Sequence, residues 1–480
     1  IQAFYFLETF KNVRTDMGEL DGLWFKMYVG ISRANSSLRV LNTLNESDFA
    51  DKKVRQAEVR FLRAHFYFQL KILYKYIPFI DENVAVADYA TVSNRALTND
   101  QLWDKIAADF QFAIDNLPAV QTEIGRANKA AATAYLAKTR LYQAYEQDEK
   151  NNVTNINKTK LQQVVDLINT IPSTYGLVDD YADLFTPGAT ENGKESLFAV
   201  QFSNKGDGTQ FGRLNFGDVL ATPMGIGCCD FHKPSKNLAN AFKTDANGLP
   251  QFDTYDATPL DLTTDKVDPR LNHTIAIPGH PWKYDPTTIY EASWNRTPDV
   301  YGVYASLKEN VCKTCYTQVG PFYGNTKNRI ILRYADVLLW KAEALIEIGG
   351  KGNLETARGI INDIRTRAQN STAHLKLADG TYESTFNIGT YPAVGWTQDY
   401  ARNAMRWERR LELAMEGNRF FDLVRWGIAD TYMNAYFASE KSKIAYLKNG
   451  LFTKNRDEYC PIPDNQMRFS KGIYVQNAGY

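Results

Sequence analysis

Three glutamates recur at four-residue intervals in one predicted helix, and their spacing raises the question of acid–base chemistry. Glu408, Glu412 and Glu416 share one face of that helix, and a pair of carboxylates is what a glycoside hydrolase needs. Four arginines lie in the same segment: Arg402, Arg406, Arg409 and Arg410. Because glutamate and arginine at helical spacing form ion pairs, we interpret the row as an ion-pair network on a helix face.

The cysteines offer a second kind of chemistry, and there are five of them: Cys228, Cys229, Cys312, Cys315 and Cys460. The Cys312-x-x-Cys315 spacing fits a redox motif, half of a metal site or a disulfide within a loop. With His232, the adjacent pair Cys228-Cys229 would supply three zinc ligands, but no second Cys-x-x-Cys or histidine cluster completes a site. We favour a loop disulfide or plain thiols, and we expect no metal and no other cofactor.

Other catalytic signals are weak. The sequence contains no Gly-x-Ser-x-Gly elbow, no P-loop and no Gly-x-Gly-x-x-Gly opening a helix. His65 lies among phenylalanines and is predicted to be a core histidine. A carboxylate-rich loop (Asp253, Asp256, Asp261, Asp265 and Asp268) lacks EF-hand spacing, so we read these residues as turn formers and leave calcium open. The sequence predicts a protein that is not an enzyme.

Aromatic residues form the strongest candidate site. They make up 13% of the chain, with 28 tyrosines, 26 phenylalanines and 8 tryptophans. Several lie among Pro, Asp, Asn and Arg in "GHPWKYDPTTIYEASWNRTPDVYGVY" (279–304). A flat ring matches the C–H face of a sugar, and the polar neighbours match its hydroxyls. The predicted ligand-binding residues are Trp282, Tyr284, Tyr290, Trp294 and Tyr301, with Tyr74 and Tyr76 from "LYKYIPFIDEN". The alternative is that these rings only pack the loops that carry them.

Charge and hydropathy exclude other partners. Lysine plus arginine and aspartate plus glutamate both number 55, so the net charge is zero. Nucleic acid stacking needs a basic groove, which a balanced charge argues against. No uncharged apolar run is long enough to span a bilayer. Ile1 opens directly into a helical pattern, as expected if the N-terminus was trimmed.

Helices must position these residues. Apolar periodicity predicts a helical scaffold mainly over 1–172 and 329–440, with Thr98-Asn99-Asp100-Gln101 as a capping region for Leu102 to Leu117. Two antiparallel pairs resemble tetratricopeptide units, namely Ala127–Gln147 with Lys160–Ile171 and Ile331–Ile348 with Asn353–Gln369. An irregular region, 173–328, carries short strands such as Ser196–Phe202, and a second insertion spans 371–398. The ligand-binding region is predicted within 173–328.

Several segments resemble one family in chain order. They include "AEVRFLRAHFYFQLKILYKYIPFI", "DPRLNHTIAIPG", "NRIILRYADVLLWKAEALIEIGG", "ARGIINDIRTRAQN", "RRLELAMEGNRFFDLVRWG" and "CPIPDNQMRFSKGIYVQNAGY". Together they resemble the SusD/RagB family of Bacteroidetes along nearly the whole chain. Within the fifth segment, Gly417-Asn418 is predicted to break the helix, and Asp422 and Arg425 are predicted to pair at i,i+3.

The resemblance implies a mostly α fold: about four tetratricopeptide-like helix pairs with a loop-rich region packed on them, as a single domain over 1–480. It implies a lipoprotein on the extracellular face of the outer membrane, anchored by an N-terminal lipid on a segment absent from this chain. It also implies a SusC-like TonB-dependent transporter as partner, and capture of a glycan for import without cleavage. Another nutrient as cargo stays open.

Two departures from the family pattern stand out. "LYKYIPF" lacks the Gly-Asp often found before that proline, and the cysteine pairs are not part of the family signature. Two other functions remain as alternatives: a glycoside hydrolase of a polysaccharide-utilisation locus, or a tetratricopeptide-type adaptor for protein partners.

Overall fold

The computed structural model describes residues 2–204, 213–319 and 322–480. Contacts between residues divide the chain into two compact units. The first unit comprises Ile1–Ile171, Phe420–Ser442 and Leu447–Tyr480, and the second comprises Pro172–Arg419 and Lys443–Tyr446. The second predicted helix pair therefore belongs to the same unit as the irregular region. The single domain over 1–480 stays a prediction.

Helices that pack against their neighbours in sequence build most of the first unit. After α1 (Gln2–Thr9), they are α2 (Gly18–Thr43), α3 (Lys52–Tyr74), α4 (Asn99–Asn116), α5 (Lys129–Ala144) and α6 (Lys158–Asn169). A small antiparallel ribbon, β1 (Tyr145–Gln147) with β2 (Val153–Ile156), joins the last two. α4 begins where predicted, because Thr98 accepts a hydrogen bond from the backbone of Gln101 and the Gln101 side chain accepts one from the backbone of Thr98.

The second unit combines irregular chain with a group of three longer helices. Its short helices are α7 (Lys236–Asn240), α8 (Arg270–Thr274) and α9 (Pro298–Tyr301), and its longer ones are α10 (Tyr334–Ile348), α11 (Lys351–Asn370) and α12 (Gln398–Glu412). α10 contacts both α11 and α12. Gly349 and Gly350 connect α10 to α11 with φ angles of 82° and 90°, which glycine adopts readily.

Short antiparallel strands run through the irregular chain. They are β3 (Ser196–Val200), β4 (Ile275–Ala276), β5 (Pro281–Trp282), β6 (Asp285–Ile289), β7 (Ala305–Ser306), β8 (Thr317–Val319), β9 (Phe322–Gly324) and β10 (Arg329–Arg333). They pair as β3 with β10, β4 with β7, β5 with β6 and β8 with β9. The predicted extended piece that begins at Ser196 is β3. Its partner strand, β10, continues directly into α10.

The remaining helices are α13 (Arg419–Arg425), α14 (Ala429–Glu440) and α15 (Asp464–Phe469). A break precedes α13, with Gly417 at φ 82°, but α12 already ends at Glu412, before the predicted position. Within α13, Arg425 and Asp422 form the predicted pair at 3.0 Å. The fold is mostly helical with helix pairs and short strands, which confirms the predicted fold class.

Candidate functional site

Glu408 and Glu412 are buried in α12, whereas Glu416 lies beyond the end of α12 and is half-buried, so the three glutamates do not share one helix as predicted. Their partners also differ from the predicted ones. Glu408 and Glu412 have no exposed surface. Glu412 pairs with Arg333 at 2.6 Å, with Arg270 at 2.9 Å and with Arg367. Arg270 lies in α8, Arg333 is the last residue of β10, and Arg367 lies in α11. The interpretation as an ion-pair network is confirmed, but the arginines that pair with Glu412 lie outside α12.

The arginines of α12 point to other partners. Arg402 pairs with Glu347 at 2.7 Å, and Arg409 pairs with Asp336 at 2.7 Å. Sequence spacing suggested pairs within one helix, and Arg402 does pair with Asp399 of α12 at 2.6 Å, but the fold also brings in charges from distant segments. The network therefore ties α8, α10, α11 and α12 together inside the second unit.

The charge balance of this network opposes acid–base catalysis. Burial raises the pKa of Glu412, but the charges of Arg367, Arg333 and Arg270 outweigh it and hold that pKa well below its usual range. The pKa of Glu416 is lowered in the same way, with burial opposed by Arg333 and Lys308. A general acid needs a raised pKa, so these carboxylates are suited to structure.

The cysteines form local bonds. Cys312 and Cys315 are joined in a disulfide, as are the neighbours Cys228 and Cys229. His232 lies 2.6 Å from a carboxylate oxygen of Glu309, which gives that histidine a partner other than zinc. Among the described residues, no group of three or more His, Cys, Asp or Glu side chains is placed to hold a metal ion.

Two residues of the predicted aromatic site lie in the core of the second unit. Trp282 and Tyr290 are fully buried, with ring centroids 5.6 Å apart. The Trp282 indole N–H donates to the carbonyl of Val311 at 3.0 Å, and the Tyr290 hydroxyl donates to Asn295 at 2.8 Å. Both rings are enclosed and their polar atoms are bonded, so neither offers a face to a sugar in this conformation.

Trp294 lies at the edge of the same cluster and stays half-buried. Its ring centroid is 5.6 Å from that of Trp282 and 5.5 Å from that of Tyr290. The exposed Lys313 places its ammonium nitrogen 5.6 Å from the Trp294 ring centroid. An accessible indole with a cation beside it can pack against a sugar while the cation donates to its hydroxyls.

The other two candidates of this segment lie in separate surroundings. Tyr284 is half-buried, 2.9 Å from the Nδ1 atom of His273, with its ring 5.5 Å from that of His374. Tyr301 is 40% exposed and its ring lies 5.5 Å from that of Tyr446. The fold thus brings Trp282, Tyr290 and Trp294 into mutual contact, whereas Tyr284 and Tyr301 have other ring partners.

Tyr74 and Tyr76, in the first unit, are also buried. The Tyr74 hydroxyl donates to the carbonyl of Leu20 at 2.7 Å. Arg95 lies 3.6 Å from the Tyr76 ring centroid, and Lys75 lies 5.5 Å from it. Because charged and apolar neighbours already cover these rings, they pack the turn that carries them, as the alternative interpretation of the aromatic residues held.

The turn at Lys75 explains a departure from the family pattern. Lys75 has φ of 60°, a conformation that favours glycine. Its ammonium group donates to the carbonyl of Asp148 at 2.6 Å and to Asn151 at 2.7 Å. These bonds hold Lys75 in a backbone conformation that glycine adopts more readily.

Sequence reasoning missed three residues around Trp294. Gly225 lies against the indole ring, Gly227 lies against the ring of Tyr323, and Lys313 stands beside Trp294. The Gly-Ile-Gly-Cys-Cys run was a signal, since two glycines beside a cysteine pair indicate a tightly packed loop. The partner rings are 69 to 96 residues further along the chain, too far for a local pattern to show.

These features define a mostly helical protein with an accessible aromatic side chain in a disulfide-containing loop region. No helix within the described residues has the length and apolar character needed to cross a membrane. Residues 194–480 match the SusD family, and residues 2–141 match a family described as starch-binding and associating with the outer membrane. The first match covers more than half of the chain, so the chain belongs to the SusD family.

Individual relatives agree with this assignment. SusD-like protein P2 of Formosa agariphila is 26% identical, over 97% of this chain and 81% of its own length. A SusD-like protein from Bacteroides fragilis matches the fold with a TM-score of 0.71 and 22% identity, covering 100% of this chain and 89% of that chain. Surface glycan-binding protein A from Bacteroides thetaiotaomicron, solved with laminarihexaose, matches with a TM-score of 0.67 and 20% identity, covering 99% of this chain and 89% of that chain.

Proposed function

We propose that this chain binds a glycan at the cell surface and delivers it, uncleaved, to a SusC-like TonB-dependent transporter in the outer membrane. The observation that carries glycan binding is the half-buried indole of Trp294, fixed by two neighbouring rings and accompanied by the exposed Lys313. A rigid, accessible ring beside a hydrogen-bond donor fits a sugar. Membership of the SusD family supports the same function.

The remaining accessible candidates are Tyr301 and Tyr284. The exposed Tyr301 forms a ring pair with the half-buried Tyr446, while Tyr284 offers part of one ring next to His374. We propose Trp294 as the main contact and Tyr301 and Tyr284 as secondary ones. An N-terminal lipid on a preceding segment would hold the protein at the extracellular face of the outer membrane.

Capture without cleavage is supported by the state of the glutamate row. Glu408 and Glu412 are enclosed by arginines and have no exposed surface. A hydrolase needs two carboxylates that flank an accessible glycosidic bond.

A tetratricopeptide-type adaptor would instead bind its partner through the helical part of the chain, and changes at Trp294 would leave that binding intact.

Calorimetric titration of the intact protein against soluble polysaccharides and their hexasaccharides, including starch, laminarin, maltohexaose and laminarihexaose, tests glycan binding. We expect saturable binding to at least one member and no release of reducing ends. Trp294→Ala should weaken that binding by about 5- to 150-fold, taking stacking on an aromatic ring as 1–3 kcal/mol. Trp396→Phe is the control, because Trp396 is buried elsewhere in the second unit.

Absence of binding across the panel would contradict the proposed function. Release of reducing ends that survives repurification would favour the hydrolase instead. For the partner, the full-length lipidated protein should co-purify from outer membranes with a TonB-dependent transporter, and a protein recovered without one would contradict the transport role.

A further inference from the structure

A short loop beside Trp294 is closed at several points. This glycine–cysteine loop runs from Thr222 to Asp230. The backbone N–H of Asp230 donates to the carbonyl of Thr222 at 2.8 Å, and that of Gly227 donates to the carbonyl of Pro223 at 3.1 Å. The disulfide between Cys228 and Cys229 adds a covalent ring inside the loop. The loop is therefore restrained both by hydrogen bonds and by a covalent bond.

Both glycines of the loop lie against aromatic rings. A Cβ atom built on Gly225 would stand 2.3 Å from Cγ of Trp294, and one built on Gly227 would stand 2.1 Å from Cδ2 of Tyr323. Neither glycine has a φ angle in the left-handed region. The requirement for glycine at these two positions is therefore space, because any side chain would displace a ring.

The segment that carries Trp294 is bonded to the same loop. The backbone N–H of Arg296 donates to the Asp230 carboxylate at 2.7 Å, and its side chain donates to the carbonyl of Cys229 at 3.0 Å. Lys233 completes the arrangement by pairing with Asp230 at 2.8 Å. The loop and the Trp294 segment thus hold each other in one relative position.

A second disulfide closes the turn whose lysine lies near the Trp294 ring. Cys312 and Cys315 close the turn that contains Lys313, whose ammonium nitrogen lies 5.6 Å from the indole centroid. A cation within about 6 Å of a ring centroid is attracted to the ring. Lys313 is exposed and Tyr323 is half-buried, so both remain available to a ligand.

We propose that the glycine–cysteine loop selects the glycan, and that Tyr323 and Lys313 bind it together with Trp294. This inference rests on the proposed glycan-binding function. Gly225 and Gly227 are two residues apart, so they hold their rings at points separated by at most ~7 Å along the loop. Two rings set by one restrained loop fit a chain of at least two consecutive sugar residues. Lys313 donates to a hydroxyl of the sugar on Trp294.

The test compares Gly225→Ala and Gly227→Ala with the wild-type protein. Each added methyl group must displace a ring, so each variant should lose about 5- to 150-fold in affinity for the hexasaccharide that the wild type binds, maltohexaose or laminarihexaose. Gly359→Ala is the matched control, because a Cβ at this position in α11 meets no atom within 4 Å. It should bind as the wild type does.

Tyr323→Ala and Tyr323→Phe test the inference independently of loop folding. The alanine variant should lose affinity to a similar extent, whereas phenylalanine keeps the ring and should retain most of it. Lys313→Met should reduce affinity by a few fold, since it removes one donor at an exposed position. Thermal melting and circular dichroism establish that each variant is folded.

The outcomes separate this inference from the proposed function. If Trp294→Ala loses the hexasaccharide while both glycine variants and Tyr323→Ala bind it as the wild type does, the role of the loop is wrong and glycan binding stands. If the wild type binds no glycan, both are wrong. A loss in Tyr323→Ala that Tyr323→Phe restores, with Gly359→Ala unaffected, supports the inference.

Discussion

The two glutamates of α12, Glu408 and Glu412, and the rings around Trp294 are all side chains suited to chemistry, yet they differ in access. Glu412 has no exposed surface and meets three arginines, whereas Trp294 keeps part of its indole open beside the exposed Lys313. The negative charge of Glu412 is paired with arginine side chains inside the protein. The ring of Trp294, in contrast, is covered by the protein only in part. Residue type therefore indicates what a group can do, and its surroundings decide whether a ligand can reach it.

The same contrast appears between two neighbouring tryptophans. Trp282 and Trp294 are in contact, but only Trp282 is fully enclosed, with its indole N–H bonded to Val311. One of them belongs to the core and the other is proposed to bind ligand. Changes at the buried members should alter stability, and changes at the accessible members should alter affinity.

The largest expected effect is on the buried charges. Glu412→Gln leaves Arg333, Arg367 and Arg270 without full compensation, so we expect the free energy of unfolding to fall by about 3–5 kcal/mol. Urea denaturation of the purified protein measures this change. Glu355→Gln is the control, because its pair with Arg358 is on the surface and should contribute little. If Glu412→Gln and Glu355→Gln lower the free energy of unfolding equally, the buried network contributes no more to stability than a surface ion pair, and the prediction is wrong.

A smaller effect is expected at Trp282. Trp282→Phe keeps an aromatic ring but leaves the carbonyl of Val311 without its donor in the core, so stability should fall by about 1–3 kcal/mol. Thermal and urea unfolding measure it, and glycan affinity should change less than in Trp294→Ala. If Trp282→Phe instead lowers affinity without lowering stability, the assignment of Trp282 to the core is wrong.

The smallest effect is the pH dependence of stability. In the folded state the arginines hold the pKa of Glu412 below its ordinary value of 4.5. The unfolded state therefore binds more protons as pH falls below about 4.5, and the stabilising contribution of Glu412 decreases by about 1.4 kcal/mol per pH unit until the folded-state pKa is reached. Above that window the contribution of Glu412 is complete.

Comparison of the wild type with Glu412→Gln isolates this contribution from those of other carboxylates. Free energies of unfolding measured between pH 3 and 7 should fall less steeply in acid for the variant. Parallel curves for the two proteins would contradict the predicted state of Glu412.

Local sequence patterns predicted local structure well. The capping residues Thr98 and Gln101 indicated the start of α4, and the second predicted helix pair corresponds to α10 and α11. His65 was predicted to be a core histidine, and it is half-buried, with its Nδ1 atom 2.6 Å from the hydroxyl of Tyr135 and its pKa lowered to about 4 by burial. In these cases the deciding interactions involve neighbours in sequence or an apolar helical face.

The candidate site was predicted only in part. The segment 279–304 was singled out because it combines rings with polar residues, and Trp294 and Tyr301 in it do remain accessible. The burial of Trp282 and Tyr290 could not be read from that segment, because Val311 and Ile226 lie outside it and help to enclose the cluster.

The sequence by itself determined the helical periodicity, the start of α4 and the family to which the chain belongs, because each depends on residue types at short spacing or in a fixed order. Only the tertiary structure decided which rings stay open and which charges meet. Gly225 reaches Trp294 and Arg270 reaches Glu412 across long stretches of chain. The exposure of a side chain to solvent depends on such distant contacts, and the periodicity of residue types along the chain does not predict them.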